Sequence, residues 1–266
     1  MSTFQHTLQG QPWLALQGIS KRFGSIVALD DVDFEAYAGE VVALVGDNGA
    51  GKSTLAKIIA GTHQADEGLY FFEGKQVKVS SPQDANALGI ATVYQDLALC
   101  DNLDVVANLY LGREPSKTVF PLPHLLHRPL EDEMERRAGE VLRSLSVTLP
   151  SLRHPVVTLS GGQRQSVAVS RAVLWGSKVV LLDEPTASLG VEQTAMVLRL
   201  IVQLRERGLA VVLISHNLSD VFTVADRIIV LRLGRRVGTY MRSQTTPDQV
   251  VAAITGSSTL SSGVME

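Results

Sequence analysis

The sequence predicts an α/β chain, with a mostly parallel sheet and helices on its faces. Three observations predict it. Short β-branched and leucine-rich runs at 178–182 and 210–215 are separated by an amphipathic helical stretch at 191–207. Alternating units of this kind need crossover helices and therefore a parallel sheet. An apolar run at 41–45 leads into a glycine-rich turn, and then into a helical pattern at 53–60 that stops at Gly61. A second apolar run, 179–182, ends in two carboxylates, Asp183 and Glu184.

The elements follow in chain order. Residues 14–19, 26–37 and 40–45 carry branched and aromatic side chains with Gly and Asp turns between them, and read as strands. Residues 69–72 and 76–79 read as a hairpin around Glu73-Gly74-Lys75. These early strands suggest an N-terminal antiparallel β subdomain. Ser81-Pro82 opens a helix, with proline near its first position, and 90–94 reads as a strand. The stretch 97–155 differs. It holds six of the ten prolines around a charged helical run at 130–144, and reads as an inserted helical subdomain within about 97–170. A helix is expected at 166–174. Residues 14–255 read as one domain, with 1–13 and the Ser/Gly-rich 256–266 as flexible tails. No internal repeat is visible.

Composition narrows the function. The chain has 266 residues, 45% hydrophobic, enough for a large buried core. Net charge is -3 and the isoelectric point about 6.1, without the basic excess expected of a nucleic-acid partner. One cysteine, Cys100, forbids an internal disulfide and suits a reducing compartment. The polar N-terminus does not read as a secretory signal, and no apolar run approaches the ~20 residues of a membrane span. A membrane role is therefore expected to be peripheral.

Three motifs carry chemistry. Gly46-Asp47-Asn48-Gly49-Ala50-Gly51-Lys52-Ser53, followed by Thr54, fits G-x-x-x-x-G-K-[ST] between a strand and a helix. Glycines let successive N–H groups turn toward phosphate oxygens, and the helix N-terminus adds its positive dipole end. Lys52 supplies a point charge, and the Ser53 hydroxyl suits Mg²⁺. Asp183 and Glu184 end a buried strand, where ligands bind in open α/β sheets. Asp183 suits the metal shell, and Glu184 can polarise an attacking water. Third, Leu159-Ser160-Gly161-Gly162-Gln163-Arg164-Gln165 is a glycine-rich start to a helix, with Ser160 as a candidate N-cap.

In this order and spacing the three motifs resemble the ATP-binding cassette ATPases, over about 14–255. The resemblance implies a P-loop NTPase fold that binds ATP with Mg²⁺ and hydrolyses it. It also implies roles at weaker positions. Phe23 would stack on adenine, Gln95 would reach Mg²⁺ and the attacking water, and His216 would contact the γ-phosphate. Each cassette would hold two half-sites. The phosphate loop of one copy would meet the signature Ser160-Gly161-Gly162-Gln163 of a second copy, head to tail. In transporters of this family, a groove beside the glutamine segment receives a short helix from a multi-span membrane permease.

The stretches 93–99 and 215–232 resemble the ATPases of bacterial monosaccharide importers of ribose, xylose or fructose type. That resemblance places the chain at the cytoplasmic face of an inner membrane, served indirectly by a periplasmic sugar-binding protein. Two departures stand out. Many importer ATPases of this group fuse two cassettes, and this chain has one. The family's usual Ser-Ala-Leu-Asp after the glutamate reads Ser188-Leu189-Gly190 after Ala187, so Gly190 replaces an aspartate tied to cross-site coupling. Competing readings are a soluble cassette ATPase not coupled to transport, and a nucleotide-binding regulatory subunit without turnover. Intact Glu184 and His216 argue against the second.

Overall fold

The computed structural model describes residues 10–118 and 127–257. The expected tails fall largely, and the proline-bearing stretch 97–155 partly, outside these residues.

Apolar patterning builds the central sheet. Strands β3 (Val41–Val45), β9 (Val179–Asp183) and β10 (Ala210–Ile214) are near-continuous apolar runs, buried along almost their whole length. Runs of this kind belong to strands covered on both faces. With β6 (Ile90–Val93), β11 (Arg227–Arg232) and β12 (Arg235–Met241) they form a six-stranded sheet in the order β12-β11-β3-β10-β9-β6. All neighbours pair parallel except β11 with β12. The expected mostly parallel core is present.

Strand periodicity splits the core in two. Val42, Leu44, Leu181, Val212 and Ile229 face helix α1 (Lys52–Ile59) and the second sheet. That sheet is antiparallel, in the order β2-β1-β4-β5, from β1 (Leu14–Phe23), β2 (Ile26–Ala36), β4 (Glu67–Phe72) and β5 (Lys75–Gln76). Val41, Ala43, Leu182, Leu213 and Val230 face the other way, toward α5 (Gly161–Leu174), α6 (Val191–Glu206) and α7 (Leu218–Val224). Helix α8 (Pro247–Thr255) packs on β11.

Helices α3 (Val105–Tyr110) and α4 (Glu131–Ser144) join α5 around a separate core of Val105, Leu109, Met134, Leu142, Leu159 and Val167. This is the inserted helical layer. A small antiparallel pair, β7 (Ser116–Thr118) and β8 (His127–Pro129), flanks the undescribed residues. Helix α2 (Pro82–Leu88) begins at the expected Ser81 cap, whose Oγ accepts from Asp84 N at 3.2 Å.

Two expectations need correction. The second hairpin strand is only Lys75–Gln76, not 76–79: past Gln76 a single bond follows, Val77 N donating to Tyr70 O at 2.9 Å, and Val77 and Val79 pack on the core without continuing the ladder. The helix expected at 166–174 starts at Gly161. A capping box overrides the low propensity of its glycines: Ser160 Oγ accepts from Gln163 N at 3.3 Å, and Gln163 Oε1 accepts from Ser160 N at 3.0 Å.

Candidate nucleotide site

The loop between β3 and α1 takes its path from glycine. Gly46 has φ 155°, and a Cβ there would overlap the carbonyl oxygen of Leu231. Gly51 has φ 105°, and its Cβ would lie 2.7 Å from both Ala28 O and Leu29 Cδ2. Gly51 is also the N-cap of α1 and offers no side-chain acceptor, so the first-turn N–H groups are open to an anion. Asp47, Asn48, Gly49 and Ala50 form the turn, closed by Ala50 N donating to Asp47 O at 3.1 Å. Ser53 is exposed and Thr54 half-buried at the start of α1.

Lys52 is buried, and its Nζ donates to Gly46 O at 2.7 Å and Asp47 O at 3.0 Å. Burial lowers its pKa, against the opposing pull of Glu184, Asp47 and Asp183. The ammonium therefore rests on the loop's own carbonyls, within the curl that a phosphate would enter.

Strand register gathers the remaining groups at one edge of the sheet. Ile214 of β10 stands opposite both Leu44 of β3 and Asp183 of β9, and Leu182 stands opposite Val93 of β6. Gly46, Gln95, Asp183, Glu184 and His216 therefore all lie at or just beyond the C-terminal ends of adjacent strands. Burial raises the pKa of the Asp183 carboxyl, with Glu184 adding to it, while Lys52 and Lys57 pull the other way. A divalent cation would offset that strain.

Glu184 sits in the left-handed region at φ 50°, held by its N–H donating to Ile214 O at 3.0 Å. One of its carboxylate oxygens, Oε2, lies 2.8 Å from His216 Nδ1. The His216 side chain is 70% exposed against 18% for Glu184, so the imidazole stands on the open side. Gln95 is exposed, just past β6.

Phe23 ends β1 and is 44% exposed as a residue. Lys21 Nζ lies 5.5 Å from the ring centroid, and His63, beyond the end of α1, meets the ring edge-on at 5.4 Å. The signature Ser160–Gln163 stands apart, on α5, which packs on α3, α4, α6 and β6, whereas α1 packs on β2 and β9. Among the described residues no hydrogen bond or ion pair joins the signature to the phosphate loop. Gly161 and Gly162 instead bring α5 against Leu189 and Gln193.

Supporting residues escaped the sequence reading. Thr186 Oγ1 donates to Asp220 Oδ2 at 2.7 Å, fixing the segment after Glu184 to α7. Asp101 pairs with Arg164, tying the segment after Gln95 to the signature helix. Buried Asn108 accepts from Cys100 N at 2.7 Å and donates to the carbonyls of Cys100, Leu103 and Asp104. No local motif marks these residues, although an asparagine inside an apolar helical stretch was a usable hint.

No group of three or more His, Cys, Asp or Glu suited to a metal occurs among the described residues. The candidate donors are hard oxygens: the Ser53 hydroxyl at the start of α1, the Asp183 carboxylate at the end of β9 and the Gln95 amide just past β6. That set fits Mg²⁺, which takes few protein ligands and completes its shell with phosphate oxygens and water.

Residues 29–187 match the family model described as ABC transporter. A fructose import ATP-binding protein of Rhizobium meliloti is 47% identical over 251 residues, covering 92% of this chain and 95% of that protein. A xylose/arabinose import ATP-binding protein of Sulfolobus acidocaldarius is 44% identical, covering 91% of this chain and 93% of the relative. Among solved structures, an ATP-binding cassette of an ABC transporter aligns with TM-score 0.77 at 28% identity, over 92% of this chain and 99% of the other. A cassette solved as a dimer in a post-hydrolysis state with ADP and Pi aligns with TM-score 0.69 at 25% identity, over 86% and 98%.

Proposed function

The chain belongs to the ABC transporter family, and on that premise we propose that it is the ATP-binding, ATP-hydrolysing subunit of an importer that powers uptake of a simple sugar. Two relatives covered over nearly their whole length are named for sugar import, and that is the observation that carries the substrate class. Residues 14–255 act as one cassette, with about 97–170 as its helical subdomain.

The chain's own residues divide the work. The exposed face of Phe23 stacks on adenine. The backbone of Gly46, Asp47, Asn48, Gly49, Ala50, Gly51, Lys52, Ser53 and Thr54 cradles the phosphates. Lys52 exchanges its bonds to the Gly46 and Asp47 carbonyls for phosphate oxygens. Ser53, Gln95 and Asp183 hold Mg²⁺, which supplies charge neutralisation at the phosphates. Glu184 orients and polarises the attacking water. His216, 2.8 Å from that carboxylate, turns toward the γ-phosphate.

Ser160, Gly161, Gly162 and Gln163 close over the ATP held by a second copy, head to tail. The start of α5 that carries them is fixed by the reciprocal capping box of Ser160 and Gln163, which holds the segment in one conformation. At the junction of the two copies Gly190 offers backbone only, so coupling there runs without the usual carboxylate. Hydrolysis removes the shared γ-phosphate and lets the dimer open. The pair docks on multi-span permease subunits at the cytoplasmic face of an inner membrane, and a periplasmic binding protein delivers the sugar. Reconstitution with its permease and binding protein should give ATP-dependent uptake of a monosaccharide. Turnover with no permease association in native membranes would replace this reading with a soluble ATPase.

A further inference from the structure

Two short segments carry Glu184 and His216, and one side-chain bond ties them together beyond the pair itself. Glu184 follows β9 and opens a turn, in which Ala187 N donates to Glu184 O at 3.1 Å and Leu189 N to Thr186 O at 3.3 Å. His216 follows β10 and stands two residues before α7. Thr186 is half-buried in the turn, and its hydroxyl donates to Asp220 Oδ2, in the first turn of α7, at 2.7 Å. Among the described residues this is the one side-chain hydrogen bond from residues 185–190 to another element.

Both ends of that bond need it. Glu184 at φ 50° and Ser188 at φ 63° lie in the left-handed region, which side chains of this kind keep only where the surroundings hold them there. Ser188 and Gly190 are exposed, so packing at these two positions does not hold the turn. Asp220 is only 7% exposed, and no cation pairs with it among the described residues. A carboxylate so buried depends on its hydrogen bonds, and Thr186 supplies one. The ties to the Glu184 turn then come from both sides of His216. Ile214 O, before it, accepts from Glu184 N at 3.0 Å, and Asp220, after it, accepts from Thr186. Between them Glu184 Oε2 meets His216 Nδ1 at 2.8 Å.

We propose that Thr186 and Asp220 are positioning residues for hydrolysis: their bond fixes Glu184 relative to His216 and so aims the Glu184 carboxylate at the attacking water. Neither residue belongs to the phosphate loop, the metal donors or the signature. The inference rests on the reading of Glu184 as the group that polarises that water. A displacement of about 1 Å in such a group is enough to cost about 10²-fold in rate.

Phosphate release by the full chain gives kcat and KM, and nucleotide titration gives affinity. Thr186→Val keeps the shape of the side chain and removes the donor. It should lower kcat at least about tenfold with KM and ATP affinity within about twofold of wild type, and Thr186→Ser should recover most of the rate. Wild-type kcat in Thr186→Val, or no recovery in Thr186→Ser, overturns the inference. Thr186→Val also strands the Asp220 carboxylate, and lost stability can slow turnover by itself. Thr186→Val/Asp220→Leu separates the two effects, because replacing both partners by apolar groups removes the stranded charge. The melting temperature should return toward wild type while kcat stays low. Recovery of kcat along with stability would make the bond merely structural and overturn the inference. Should Thr186→Val not fold, the double variant and Thr186→Ser decide. Glu184→Gln in the same assay tests the premise. Turnover retained there removes the reading of Glu184 and this inference with it, whereas its loss beside a fully active Thr186→Val overturns the positioning role alone.

Discussion

Substituting Gly162 by alanine separates two roles of the signature glycines. In an exposed helix interior the change would stabilise, since alanine is favoured over glycine by about 1 kcal/mol. Here the position is buried, and the new Cβ would lie 3.0 Å from Gln193 Cβ and 3.2 Å from Gln193 Cα. The Cα belongs to the backbone of α6 and cannot rotate away. Forcing a methyl group into such a contact costs about 1–3 kcal/mol. The balance is a net loss of about 1 kcal/mol, or a fall of about 2–4 °C in melting temperature for a chain of this size. Gln193→Ala would not rescue it, because only the Cγ contact at 3.4 Å disappears. Urea unfolding of the isolated chain reads the sign directly. A gain of about 1 kcal/mol, equal to the unopposed propensity, would refute the claim that Gly162 sets the approach of α5 to α6.

Three further outcomes follow from the site and the core. Glu184→Gln should keep ATP binding and lose about 10²- to 10⁴-fold in turnover, measured by phosphate release against nucleotide titration; near-wild-type turnover removes Glu184 from its role. The Asp183 carboxyl is held above its ordinary 3.8 by burial and by Glu184, so its contribution to stability is full below that value and is lost as pH rises through the folded one. Asp183→Asn should therefore raise the melting temperature of the nucleotide-free chain at neutral pH but not at about pH 3, while abolishing Mg²⁺-dependent hydrolysis; a pH-independent gain contradicts the burial argument. Glu40→Gln should cost about 3–5 kcal/mol in urea unfolding, since it strands the buried guanidinium of Arg227, now bonded through Nε and Nη2 at 2.7 and 2.9 Å. A cost under about 1 kcal/mol would show that the pair is not desolvated.

Legibility tracked the range of the interactions. β3, its glycine loop and α1 were readable because a buried strand and a phosphate-binding turn impose local composition. The same holds for β9 and its terminal carboxylates. Ser160 was readable as a cap, yet the helix start at Gly161 was not, because glycine argues against helix until the reciprocal Gln163 bond is seen. β12 escaped notice for a different reason. It has no fully buried residue, so no alternation marks it, and its place depends on antiparallel pairing with β11. The Thr186–Asp220 bond likewise joins a loop to α7 through the tertiary fold.

Shared ATP sites are tested most directly by mixing two inactive variants. Lys52→Ala removes the phosphate-loop charge, and Ser160→Arg blocks the signature. A mixed dimer would retain one intact site, with Lys52 from one copy and Ser160 from the other. Equimolar mixing should restore up to about a quarter of wild-type hydrolysis, if the copies pair at random with twofold symmetry and sites fire independently. A mixture as inactive as either variant alone would contradict the assignment of the signature to a second copy.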